Sequence, residues 1–146
     1  MKLASHYVVP ASPERVYAAL TDPAILQRCI PGCEELTPDG DDRFRARIKV
    51  GVAGLKGVYA GTAELRDRNP PHSFTLAVDG KGTPGFVRAS AKIACSLHDG
   101  ATRVDCDADV QVGGLIAAVG SRLVEAAARQ QMDAFFRQLA LTLTTV

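Results

Sequence analysis

The sequence contains no tryptophan, and aromatic residues make up only 5% of its 146 residues. Aromatic side chains each bury a large area and usually contribute much of the volume of a core. Alanine, glycine and valine are abundant instead. A chain of this length can bury a core of its own, so we expect that core either to be filled by small side chains or to be incompletely filled.

The sequence also lacks an excess of either charge, a long apolar run and a leader segment. Its 17 Lys and Arg residues nearly balance 16 Asp and Glu residues, whereas a dedicated nucleic-acid binder usually carries a strongly basic face. The longest wholly apolar run, LIAAV at 115–119, is far shorter than the roughly 20 residues of a membrane span. The N-terminal MKLASHYVV lacks the apolar stretch of a signal peptide. We therefore expect a cytoplasmic protein whose thiols are reduced.

No complete catalytic or metal-binding motif is present. His6, His72 and His98 are not spaced as metal ligands from one another or from a cysteine, and we interpret them as surface residues. The stretch GKGT at 80–83 is a faint match to a phosphate-binding loop, but position 75 holds threonine where that loop needs glycine. We expect no metal site, no cofactor and no catalytic residue.

The four cysteines are expected to be structural. Cys29 and Cys33 flank a turn dipeptide in CIPGC, a spacing that redox pairs and half metal sites also use, but either site would need further ligands. We predict that the Pro-Gly pair ends a helix and turns the chain into a strand. Cys95 and Cys106 fall on a buried face of adjacent predicted strands, diagonal to each other, where small apolar side chains are expected.

Capping residues and periodicity predict three helices. Residues 3–9 alternate as a first strand, after which Ser12-Pro13 and Asp22-Pro23 each open a short helix. Residues 115–143 follow the helical period of 3.6 and contain no proline and only one glycine. We therefore predict one long C-terminal helix.

Between the helices, apolar residues recur with period two. Turn signals divide residues 33–113 into six strands in series, an antiparallel meander. A two-residue hairpin at Asp99-Gly100 would pair Cys95 with Val104. The predicted fold is α+β: a curved antiparallel sheet of about seven strands around the C-terminal helix, with two short helices between strands 1 and 2.

One predicted strand carries a basic row on its outer face. Phe44, Ala46, Ile48 and Val50 alternate with Arg43, Arg45, Arg47 and Lys49. The basic row is either a solvated sheet face or a docking face for an acidic partner or an anionic lipid surface.

Small residues dominate the predicted inner faces. On the sheet they are Ala46, Gly61, Ala63, Gly80, Ala89, Ala91 and Ala108, and on the helix they are Gly120, Ala127 and Ala128. Such residues allow either a close approach of helix and sheet or a cavity. Gln131 and Gln138 lie near the centre of the predicted inner face, beside Phe135, where buried amides need hydrogen-bond partners. These amides either contact a mostly apolar ligand or bond to water or backbone at the helix end.

Several local strings, taken in order, resemble the CoxG family of carbon monoxide dehydrogenase accessory proteins, within the START-like (SRPBCC) superfamily of helix-grip proteins. They are SPERVY (12–17), TDP (21–23), CIPGCEEL (29–36), RARIKVG (45–51), KG (56–57), GKG (80–82), VQVGG (110–114) and GSRL (120–123). The resemblance runs nearly end to end, and we treat residues 1–146 as one START-like domain.

The resemblance implies an accessory protein of molybdenum-containing hydroxylases such as CO dehydrogenase, not a catalytic component. It implies recruitment of the hydroxylase to the membrane, a peripheral position at its inner face, and an apolar cavity for a lipophilic ligand such as a quinone or isoprenoid. Many members continue into an apolar or amphipathic tail, whereas this sequence ends at Val146. The predicted ligand-binding residues are Leu55, Phe86, Ile93, Val124, Ala127, Gln131, Phe135 and Gln138. The loops at 51–57 and 80–85 would form the mouth.

Two alternatives belong to other classes. Some START-like folds are cyclases or dehydratases, but such an enzyme would need an acid or base in the cavity. The strand alternation places Glu64, Asp79 and Asp105 on the outer face of the sheet instead. The chain could also be a ligand-free scaffold that docks a dehydrogenase through the basic row.

Overall fold

A computed structural model describes residues 1–144, so Thr145 and Val146 of the predicted domain lie outside the described residues. The strands are β1 (Lys2–Val9), β2 (Cys33–Pro38), β3 (Arg43–Val50), β4 (Gly57–Asn69), β5 (Ser73–Gly82), β6 (Gly85–His98) and β7 (Ala101–Gly113). The α-helices are α1 (Pro13–Leu20), α2 (Pro23–Cys29) and α3 (Ser121–Thr144), and a 3-10 helix spans Gly114–Val119. This arrangement confirms the predicted α+β helix-grip fold.

The seven strands form one open antiparallel sheet in the order β1-β7-β6-β5-β4-β3-β2. Every neighbouring pair from β2 to β7 is consecutive in sequence, and β1 joins the sheet beside β7. The predicted hairpin register is confirmed, because Cys95 lies opposite Val104 and Ile93 opposite Cys106. The two buried cysteines are therefore diagonal neighbours, as predicted.

The predicted caps start the short helices. The Ser12 side chain accepts a hydrogen bond from the Arg15 N–H, and the Asp22 side chain accepts one from the Ala24 N–H. The CIPGC corner then ends α2 and leads into β2, where the Lys49 N–H donates to the Gly32 carbonyl at 2.8 Å. This bond ties the corner to the end of β3, in agreement with the architectural role predicted for it.

The predicted C-terminal helix is interrupted at Gly120. Gly120 has φ +96°, a conformation that L side chains rarely adopt, and the chain changes direction there. Residues 114–119 consequently form the separate 3-10 helix, whose Ile116 N–H donates to the Pro84 carbonyl at 2.9 Å. The prediction of one continuous helix from residue 115 is therefore wrong, and so is the placement of Gly120 on its inner face.

The inner face of α3 is rotated from the predicted one in its second half. Phe136, Leu139 and Leu143 are buried, whereas Gln138 is exposed. The placement of Gln138 on the inner face is wrong because the large apolar side chains, one position away, determine which side of the helix packs inward.

A charged face of α3 contacts β1. Glu125 and Arg129 form an i,i+4 ion pair, with 3.2 Å between their charged atoms. Arg129 also donates to the Ala4 carbonyl at 3.3 Å, and Asp133 accepts a hydrogen bond from the Tyr7 hydroxyl at 2.7 Å. Part of this face therefore fastens the helix to the edge strand.

The apolar side chains form two clusters. The larger cluster contains Val9, Phe44, Phe74, Phe136 and Leu139, together with α1 and the end of α2. The smaller cluster consists of Leu55, Ile116, Val124 and Ala127, with valines of the sheet packed around it. The candidate ligand-binding cavity lies within this smaller cluster.

Candidate ligand-binding cavity

A cavity of about 250 Å³ lies between the first half of α3 and the concave face of the sheet. Its lining is almost entirely apolar. From the sheet it is lined by Ala46, Ile48, Val50, Tyr59, Ala60, Gly61, Val78, Asp79, Gly80, Val87, Val110 and Val112. From the helices and the loop before β4 it is lined by Leu55, Ile116, Val124, Ala127, Ala128 and Gln131.

The small residues of β3, β4 and β5 leave this space open. Ala46 lies opposite Gly61, and Gly61 lies opposite Gly80, so three neighbouring strands present small or absent side chains at one level of the sheet. Gly61 also permits a close strand approach, because an added Cβ would collide with the backbone carbonyl of Asp79. A larger residue at Gly61 would therefore disturb the sheet before it filled the cavity.

On the helix side the wall is made by a short apolar stripe with one amide. Val124 and Ala127 are buried, and Gln131 is half-buried. Within residues 1–144 the Gln131 amide forms no hydrogen bond with the protein. The amide atoms of Gln131 are not fully enclosed by the protein, so they are free to bond to water or to a molecule in the cavity.

The loop before β4 and the 3-10 helix close one end of the cavity. Leu55 is 8% exposed and Ile116 is fully buried. The Tyr59 hydroxyl donates to the Leu55 carbonyl at 2.6 Å, which holds the loop against the strand that follows it. On the other side of the loop, Gly54 faces the side chain of Val119.

The predicted ligand-binding residues divide into two groups. Leu55, Val124, Ala127 and Gln131 line the cavity together. Ile93 and Phe135 instead belong to or pack against the larger core cluster. Gln138 is exposed, and Phe86 lines a separate surface depression beside Met1 and Gly120. Phe86 lies on the outer parity of β6, where its ring stacks 5.1 Å from the Arg88 guanidinium carbon.

Sequence reasoning missed several lining residues. Tyr59 shares the inward parity of Gly61 and is two positions away, so the alternation of β4 contained the signal. Val78 and Val112 follow the same rule on β5 and β7. Ile116 had no usable signal, because the 3-10 helix around it was predicted as part of the long helix.

The cavity lining offers no acid–base pair. Asp79 contributes to the wall, but its carboxylate lies 3.6 Å from Arg88 on the outer face of the sheet. Burial raises the pKa of the Tyr59 phenol, and its proton is donated to the Leu55 carbonyl. The arrangement can enclose an apolar group and supply one amide contact.

The thiols are placed to pack in the core. Burial raises the pKa of Cys95 to about 11 and that of Cys106 to about 12, which keeps both protonated and unreactive near neutral pH. Burial also raises the pKa of Cys33. The described residues include no group of three or more His, Cys, Asp or Glu side chains that could hold a metal ion. Among the helices of residues 1–144, none is long and apolar enough to cross a membrane.

The fold and the cavity define the class: a helix-grip protein with an apolar space between its sheet and its C-terminal helix. The sequence pattern of the carbon monoxide dehydrogenase G subunit (CoxG) matches residues 6–144. The chain belongs to the CoxG family, which confirms the resemblance found in the sequence. Membership supports an accessory role related to CO dehydrogenase.

Several solved structures have the same fold. A conserved protein from Geobacillus kaustophilus is 32% identical, with a TM-score of 0.94 over 97% of this chain and 94% of that one. Protein Ms6760 from Mycobacterium smegmatis is 19% identical, with a TM-score of 0.72 over 98% and 90% of the two chains. TTHA0849 from Thermus thermophilus is 18% identical, with a TM-score of 0.68 over 99% and 100%. The last two show the fold alone. None of the curated proteins compared with the chain matches it.

Proposed function

We propose that this protein is a non-catalytic accessory protein that binds a lipophilic ligand, such as a quinone, in the cavity and couples a molybdenum hydroxylase to the membrane. The observation that carries the ligand proposal is the apolar cavity with the unpartnered Gln131 amide in its wall. An apolar enclosure with a few polar groups is typical of sites for small organic molecules. A quinone ring has this composition, with carbonyl oxygens that accept a hydrogen bond from an amide.

The size of the cavity limits what it holds. Its volume of about 250 Å³ is slightly below the roughly 300–1,000 Å³ of sites for drug-sized ligands. The cavity therefore suits a ring headgroup with a short part of its chain, and a longer isoprenoid tail would extend out of it. Leu55 and Val124 would contact the apolar part of the ligand, and Gln131 would bind a carbonyl.

The proposal of a hydroxylase partner rests on family membership. The CoxG family is an accessory family, and the cavity lining offers no catalytic pair, which supports a carrier or coupling role over a cyclase or dehydratase. The basic row on β3 is a weaker docking candidate than its sequence suggests, because Arg47 is paired with Glu34 and Glu35 at 3.1 and 2.9 Å.

Ligand binding is tested with decylubiquinone and menadione, by native mass spectrometry and by thermal shift. We expect a one-to-one complex and a raised melting temperature. Ala127→Leu should abolish the complex, because Ala127 is 5% exposed and faces the cavity. Ala126→Leu is the matched control, since Ala126 is the neighbouring residue of α3 but is exposed.

Two results would overturn the proposal. One is that neither quinone nor another lipophilic probe binds the wild-type protein. The other is that binding survives Ala127→Leu and Ala126→Leu equally, which would place the ligand outside the cavity.

A further inference from the structure

Three segments meet at the end of the sheet that closes the cavity. They are residues 49–59, 80–87 and 110–124, and we call the surface that they form the loop end. The segments contact one another directly: Ile116 donates its N–H to the Pro84 carbonyl, and Gly54 faces the Val119 side chain. The loop end is therefore one continuous surface, and its inner side is the cavity wall.

The loop end contains cations and no anion. All 16 acidic residues of the chain lie outside its three segments, which carry Lys49, Lys56, Lys81 and Arg122. Each of these four side chains is exposed. None of them forms an ion pair within residues 1–144. The net charge of the whole chain is only +1, so the loop end is a local positive patch on a nearly neutral protein.

The acidic residues that border the loop end are already paired. Asp79 lies 3.6 Å from Arg88, and Asp109 lies 3.8 Å from the N-terminal amino group. Glu125, just after the third segment, pairs with Arg129. These carboxylates therefore do little to cancel the positive charge of the patch.

Large apolar side chains are exposed among these cations. Leu115 is 72% exposed, Leu123 is 51% exposed and Val58 is 43% exposed. Leu115 adjoins the fully buried Ile116, so the 3-10 helix has one side in the cavity wall and the other at the surface. Other leucines of the chain are equally exposed, but at the loop end they share three segments that carry four cations and no acidic residue. Apolar side chains combined with Lys and Arg are typical of surfaces that enter the interface of a bilayer.

We infer that the loop end docks on an anionic phospholipid bilayer, with Leu115 and Leu123 inserted among the lipids and the four cations against the headgroups. The inference rests on the proposed function, because exchange of a lipophilic ligand with the membrane is the reason for the protein to dock there. In this orientation Leu55 and Ile116 lie between the cavity and the membrane. A lipophilic ligand would then move between the bilayer and the cavity without crossing water.

The combination of charge and apolar exposure favours a bilayer over other anionic partners. A nucleic acid would use the cations but gain nothing from aliphatic side chains, since it is bound through phosphate contacts and base stacking. An acidic protein would need a matching apolar surface of its own. A bilayer with anionic lipids offers both kinds of contact at once.

Flotation of the full chain with vesicles tests the inference without any quinone present. We expect binding to phosphatidylcholine vesicles that contain phosphatidylglycerol, weaker binding at high ionic strength, and little binding to phosphatidylcholine alone. Each lysine near an anionic surface contributes about fivefold to partitioning. Lys56→Gln with Lys81→Gln should therefore lower binding about 25-fold.

The matched charge control is Arg43→Gln with Arg45→Gln. Both arginines are exposed and lie on the same sheet, but Arg43 is about 20 Å along β3 from Lys49. This variant should bind vesicles within about twofold of the wild type, since its charges lie at least a Debye length from the docked surface. An equal loss in both double variants would overturn the inference, because it would show that only net charge matters.

The contribution of the exposed leucines to vesicle binding also has a matched control. Leu115→Ser should lower vesicle binding about tenfold, whereas Leu97→Ser should not, because Leu97 is 73% exposed at the opposite end of β6. Equal effects of the two changes would contradict docking through the loop end. So would tighter binding to an oligonucleotide or an acidic peptide with no binding to vesicles.

The two proposals fail in different ways. Loss of vesicle binding with quinone uptake from detergent solution intact would refute the docking surface alone. The Ala127→Leu variant, which should not take up quinone, should still bind vesicles, because docking and ligand binding use different sides of the loop end.

Discussion

The space between α3 and the sheet is filled at one end and open at the other. At the packed end, Leu139 is fully buried and the Tyr7 ring stacks on Phe136 with centroids 4.2 Å apart. At the cavity end, the corresponding positions are Ala127 on the helix and Ala46 and Gly61 on the sheet. The same long strands and the same helix pass through both ends.

The scarce aromatic residues explain much of this difference. Of the five Phe and three Tyr residues, all except Tyr59 and Phe86 belong to or pack against the larger core cluster. Rings placed together fill volume efficiently and give the packed end its stability. The cavity therefore results from where large side chains were placed, and it does not require a loose or strained backbone.

The largest expected effect tests whether stability resides at the packed end. Leu139→Ala should lower the free energy of unfolding by about 2–5 kcal/mol, because the truncation leaves a void in a filled region. Urea unfolding followed by circular dichroism measures it. Leu123→Ala in the same helix is the control and should change it by less than about 0.5 kcal/mol, since Leu123 is half exposed. If Leu139→Ala lowered the free energy of unfolding by less than about 1 kcal/mol, the packed end would not be the well-filled end of the space between α3 and the sheet.

A smaller effect distinguishes the ends by adding volume. Ala19 in α1 is 2% exposed within the packed end, and Ala127 is 5% exposed beside the cavity. Ala19→Leu should cost about 1–3 kcal/mol through overpacking. Ala127→Leu should change the stability by less than about 1 kcal/mol, because the added carbons enter existing space. Equal costs at the two alanines would mean that the cavity end cannot accommodate a ligand either.

The strands and their faces were predictable because the local signals agree. Alternation, turn residues and the Asp99-Gly100 hairpin all give the same register, which the pairing of Cys95 with Val104 confirms. The small residues Ala46, Gly61 and Gly80 on the inner face of the sheet likewise identified the level at which space remains. Four of the eight predicted ligand-binding residues line the cavity: Val124, Ala127 and Gln131 on α3, and Leu55 in the loop before β4.

The phase of α3 was not predictable with the same accuracy. Its first half is rich in Ala, Gln and Arg, so its apolar stripe is weak, and a one-residue error turns a helix by about 100°. That error exchanged Gln138 for Leu139. The break at Gly120 was missed because a glycine inside a helical pattern is often tolerated, and only its positive φ shows that the chain turns there.

The smallest effect concerns how α3 is held at the packed end. Tyr7→Phe removes the hydrogen bond from the Tyr7 hydroxyl to Asp133 and should lower the free energy of unfolding by about 1 kcal/mol at pH 8. Tyr59→Phe, at the cavity end, removes a bond to the loop carbonyl of Leu55. It should affect global unfolding less, because the loop can open while the packed end stays folded.

The pH dependence of the Tyr7 effect gives the sharper test. Burial and the hydrogen bond to Asp133 raise the pKa of Tyr7 from 10.0 to about 12 in the folded state. Because the folded pKa is the higher one, the folded state keeps a proton that the unfolded chain releases, so stability falls as pH rises above 10. The advantage of the wild type over Tyr7→Phe should therefore be complete below pH 10 and vanish towards pH 12. The raised pKa values of Cys95 and Cys106 affect both proteins and largely cancel in the difference. A difference in urea midpoint that stays constant from pH 8 to 12 would show that the pKa of Tyr7 is the same in the folded and unfolded states, and would contradict the role given to the hydrogen bond with Asp133.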